Sequence, residues 1–80
     1  MSTVENLEIG ITLLQDSIES SKQSIDFYKK HILNDLQSPN FDDSTIDVIE
    51  SRLKRIQKLF QSIEKNESKI RLIKQIINDK

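Results

Sequence analysis

Isoleucine recurs every seven residues along this chain, at Ile11, Ile18, Ile25 and Ile32, and again at Ile49, Ile56, Ile63, Ile70 and Ile77. Seven residues make nearly two turns of α-helix, so each series draws one apolar line along a helix surface. The two series are out of phase, because the 17 residues from Ile32 to Ile49 are not a multiple of seven. The spacing therefore predicts two long helices rather than one. Strand and disordered readings both fail against a stripe sustained over so many turns.

The first helix is expected over about residues 3–37. With Val4 at heptad position a, that position holds Val4, Ile11, Ile18, Ile25 and Ile32, and position d holds Leu7, Leu14, Ser21, Tyr28 and Asp35. This is a coiled-coil seam. Ser38-Pro39-Asn40 ends it, since proline lacks an N–H and biases the preceding residue away from helical geometry. After a turn over 38–43, the second helix is expected over about 44–78. Two caps suit its start: Ser44 with Asp47 as a capping box, or Asp42 with Phe41 and Ile46 as a hydrophobic staple. Its isoleucine line is flanked by Ile46, Leu53 and Phe60, then on the other side by Ile73. The stripe thus slides sideways near Asn66, so a change of packing partner is expected there.

A short loop between helices of equal length favours an antiparallel hairpin. The fold class expected is therefore all-α, one 80-residue domain, a coiled-coil hairpin that completes a bundle with partner helices. Charges agree. Residues 1–50 carry ten acids against three lysines, and residues 51–80 carry nine bases against three acids. If facing residues have numbers adding to about 81, Glu8 meets Lys74, Asp16 meets Lys65, Asp26 meets Lys54 and Arg55, and Lys30 meets Glu50. Each exposed pair is worth only about 0–1 kcal/mol, but the set discourages parallel pairing. In this register Phe60 falls opposite Ser21, a large knob against a small hole. The rival is a parallel dimer, which β-branched a positions with leucine at d also favour.

The sequence offers little to chemistry. Cysteine is absent, so neither a disulfide nor a thiolate metal site can staple so small a core. His31 with Asp35 one turn later is a metal-ligand spacing lacking a third ligand. Asp42 and Asp43 stand at a helix start, where acids are expected on dipole grounds. No glycine-rich phosphate loop or nucleophile elbow occurs. No catalytic residue, metal, cofactor or small-molecule substrate is expected. Asn66-Glu67-Ser68 fits a glycosylation acceptor, but its place inside a helix favours coincidence. No signal segment or membrane span is expected, because the longest apolar run is two residues. A cytoplasmic location is expected, with the nucleus as the alternative.

Two features remain to carry function. Arg52, Lys54, Arg55 and Lys58 form a basic run that would suit a phosphate backbone, although acids interleave and no aromatics stand among the bases. The second feature is apolar. Ile9, Leu13 and Phe27 fall on the far side of the first helix from the isoleucine line, and Leu72 and Ile76 do so on the second. In the antiparallel arrangement Ile9, Leu13, Leu72 and Ile76 share the open end, and clustered apolar surface marks protein contacts. These five are the candidate partner-binding residues. The expected function is a non-enzymatic protein-interaction subunit, a scaffold, adaptor or chaperone-like hairpin, pairing with its own copy or with other subunits. The alternatives are a nucleic-acid-binding protein using the basic face and a filament-forming subunit.

Overall fold

A computed structural model describes residues 2–79. Two helices, α1 (Thr3–Leu36) and α2 (Asp43–Asn78), lie side by side as a helical hairpin measuring 60 × 15 × 14 Å. Both expected helices form within a residue of their expected ends.

Local chemistry sets those ends. Ser2 Oγ accepts from the Glu5 N–H at 3.1 Å and caps α1. At the other end the Gln37 N–H donates to the carbonyls of Leu33 and Asn34, both at 3.2 Å. Pro39 then prevents another turn, and the Asn40 N–H donates to Ser38 Oγ at 3.3 Å. Asp42 caps α2, which decides between the two caps that the sequence allowed. Its carboxylate accepts from the Thr45 N–H at 3.0 Å, while Thr45 Oγ1 accepts from the Asp42 N–H at 3.4 Å. The reciprocal partner is Thr45, so the Ser44–Asp47 box does not form. Phe41 and Ile46 both stay about half exposed.

Three crossings fix the antiparallel register. Gly10 lies beside Ile73, Ser17 bonds Asn66, and the His31 carbonyl accepts from Arg52. In each the residue numbers add to 83, two more than the expected register. None of the four expected cross-helix charge sets closes to 4 Å. The one ion pair among the described residues joins Arg52 to Asp35. The long side chains of the expected sets are exposed and gain little from being held in one geometry.

The seam runs straight along both helices. On α1, Ile18, Ser21 and Ile25 are buried. On α2, Ile56, Ile63, Asn66 and Ile70 are buried, with Ile49, Arg52, Leu59, Ile73 and Ile77 half-buried. These α2 positions alternate in steps of three and four, one unbroken heptad seam. The expected sideways slide near Asn66 does not occur. Ile46, Leu53 and Phe60 are exposed instead, and Leu59 packs on the core where Phe60 was expected. The physical reason is that Arg52 and Asn66 occupy seam positions. Both find polar partners there, so the seam does not need an apolar residue at every step.

Candidate interaction surface

The candidate chemical groups have structural tasks. The Asp35 carboxylate holds the Arg52 guanidinium, and the His31 ring lies against Phe27 with centroids 4.3 Å apart. Among the described residues no three His, Cys, Asp or Glu side chains gather where a metal could sit. The Asp42 carboxyl is held below the ordinary carboxylate range, chiefly by the Ser44 hydroxyl at 2.7 Å and then by the Thr45 N–H. That is the signature of a cap, where hydrogen bonds favour the charged form. No helix among the described residues is long and apolar enough to cross a membrane.

All five apolar candidates are exposed: Ile9, Leu13, Phe27, Leu72 and Ile76 lie between 48% and 64% accessible. The structure brings Ile9 and Leu13 together in a shallow depression lined by α1 alone, with Glu5, Glu8 and Thr12. Leu72 and Ile76 lie one turn apart on α2, at the same open end of the hairpin. Phe27 stands apart from these four. Its ring meets Tyr28 edge-on at 5.7 Å and lies tilted by 58° to the His31 ring, nearer the turn.

A second apolar surface lies outside the residues expected from the sequence. A groove between the helices is lined by Ile32 and Leu33 from α1 and by Leu53, Ile56, Phe60 and Ile63 from α2. Lys22 and Lys29 rim it on the α1 side, with Glu64 and Glu67 on the α2 side. Leu36 and Ile46, one heptad from Lys29 and Leu53, extend it towards the turn. Leu33, Leu36, Leu53 and Phe60 are each at least half exposed, and Ile46 nearly so. The signal was present in the strict three–four spacing of the α2 seam, which leaves Ile46, Leu53 and Phe60 outside it. Arg52 and Asn66 at seam positions disguised that spacing.

The opposite side of the hairpin is basic. Tyr28 from α1 shares a depression with Ser51, Arg52, Lys54, Arg55 and Lys58 from α2. The reading that no aromatics stand among these bases is thus corrected, because the aromatic comes from the other helix. Over their full lengths the helices have opposite balances. α1 has six acids against three bases, a balance of −3, and α2 has five acids against eight bases, a balance of +3.

No protein-family model matches this chain, and no curated protein or solved structure is significantly similar to it.

Proposed function

We propose that the chain is a non-enzymatic protein-interaction subunit, a scaffold or adaptor hairpin whose helices complete a bundle with helices of a partner. The observation that carries this reading is the surface left open. A compact chain of 9.3 kDa has about 5,000 Å² of accessible surface. This hairpin has 6162 Å². Its radius of gyration is 18.2 Å, against roughly 12 Å for a compact domain of this length. Five isoleucines form the buried core, and no described side chain is fully buried, while twelve large apolar residues are exposed. Two helices have only one mutual seam, so each keeps apolar faces open for further helices to cover.

Circular dichroism melting of the isolated chain, with its mass by light scattering, tests the requirement for a partner. The expected result is high helicity with either association or a broad, low-temperature transition. A monomer that melts cooperatively at high temperature would overturn the reading.

A second reading rests on Tyr28. An aromatic ring beside Lys54, Arg55 and Lys58 combines stacking with charge, as single-stranded nucleic-acid sites do. Binding of that kind weakens steeply with salt and is lost on reversing these three charges. Fluorescence anisotropy with a labelled single strand at physiological salt checks it. Micromolar or tighter binding that follows this pattern would displace the first reading.

A further inference from the structure

The apolar groove runs from the turn to mid-length on one side of the hairpin. Five side chains, Leu33, Leu36, Ile46, Leu53 and Phe60, stand about half exposed along it. Together they open on the order of 500 Å² of apolar surface, the size of the largest patches that monomers tolerate. An ordinary stable interface covers roughly 800 Å² on each partner, which this strip and its charged rim can supply. We infer that the groove is filled by the same groove of a second copy of this chain, with both turns at the same end of the resulting four-helix bundle. This deepens the reading as an interaction subunit and rests on it.

The apolar side chains alone permit two alignments. With the copies inverted about the level of Leu53, Leu53 meets its own counterpart and Ile46 meets Phe60. That alignment sets α1 against α1, each with a balance of −3, and brings Lys29 against Lys29. With the turns at the same end, α1 of one copy lies along α2 of the other, so −3 faces +3. In the observed register Leu36 then meets Ile46 and Leu33 lies beside Leu53. Lys22 falls within a turn of Glu64, Lys29 within about a turn of Glu50, and Glu8 beside Lys74. Each alignment makes apolar contacts along the groove, and charge selects the second. The alignment is closed by a two-fold axis, so it makes a dimer and not a filament. It leaves the basic side with Tyr28, and Leu13 and Leu72, uncovered.

Sedimentation equilibrium and light scattering of the full chain test this. The expected mass is twice 9.3 kDa. Leu53→Glu with Phe60→Glu should give a helical monomer, since neither side chain is in the internal seam. If that variant loses its helicity, the milder Leu53→Ser with Phe60→Ser should still weaken dimerisation at least tenfold. Leu13→Glu with Leu72→Glu should remain dimeric. Lys22→Glu with Lys29→Glu, and separately Glu50→Lys with Glu64→Lys, should each weaken self-association about tenfold, and mixing the two should restore a dimer. A wild type that stays monomeric, or a dimer that survives the groove substitutions, overturns the proposal. A dimer indifferent to Lys22→Glu with Lys29→Glu overturns the same-end alignment. A poorly folded monomer defeats self-pairing while leaving the need for another partner intact, whereas a cooperatively folded monomer defeats both.

Discussion

Asn66 reaches across the seam and donates from Nδ2 to Ser17 Oγ at 3.3 Å, the one side-chain hydrogen bond joining the open-end halves of the two helices among the described residues. Asn66 is 9% exposed and sits where a heptad repeat would ordinarily place an apolar residue. A buried polar seam residue costs stability but fixes register, because every slipped pairing leaves it without a partner. Ser17→Ala removes that partner and should destabilise the hairpin by about 1 kcal/mol. Asn66→Leu should instead raise the melting temperature while admitting further oligomeric states. Thermal melts with light scattering distinguish the two, and an Asn66→Leu protein with unchanged association would show that register is set elsewhere.

Gly10 is helical, and a Cβ placed on it would meet Ile73 Cδ1 at 3.9 Å, an ordinary van der Waals distance. Its backbone is not in the left-handed region, so no conformational freedom is needed there. Gly10→Ala should therefore stabilise by up to about 1 kcal/mol through helix propensity and a less flexible unfolded chain. Denaturant titration checks it. A loss of stability would mean that α1 and α2 approach more closely at this crossing than 3.9 Å implies.

Asp42 should make stability depend on pH in a defined direction. Its folded carboxyl lies below the ordinary value of 3.8, first through Ser44 and then Thr45. The charged cap therefore supports the fold at pH above that value, and its contribution disappears as pH falls through the lowered folded value. Asp42→Ala should lower the melting temperature at pH 7, and the gap from wild type should narrow below pH 4 or so. Asp42→Ser should retain most of the cap and lose this pH dependence. Parallel melts at pH 7 and pH 3 make the comparison, and a constant gap for Asp42→Ala would remove Asp42 as its source.

Ser21 is 9% exposed between Ile18 and Ile25, so Ser21→Phe should overpack the seam and cost about 1–3 kcal/mol. Phe60→Ser should not rescue it, because Phe60 is half exposed on the groove and does not face Ser21. Leu59, on the core side of α2, is the residue positioned to respond. Recovery of stability by Phe60→Ser in a double-mutant cycle would restore the register expected from the sequence and discard the one observed.

The heptad isoleucines, the phase break between Ile32 and Ile49 and the stop at Pro39 determined the all-α class and the two helices, while the choice of the hairpin over a parallel dimer belonged to the tertiary structure. Those signals are local: periodicity and caps act within a helix, and so can be read along a line of sequence. Register is different. It follows the pairs that satisfy polar groups at seam positions, buried Asn66 with Ser17 and half-buried Arg52 with Asp35 and the His31 carbonyl. A polar residue at a seam position looks like a break in the stripe until its partner on the other helix is known. For that reason the sequence predicts Leu53 and Phe60 in the seam, whereas the packed helices turn them to the groove. It is also why Tyr28 was not placed beside Lys58: the two are thirty residues apart, and only the packing of α1 on α2 brings them to one depression.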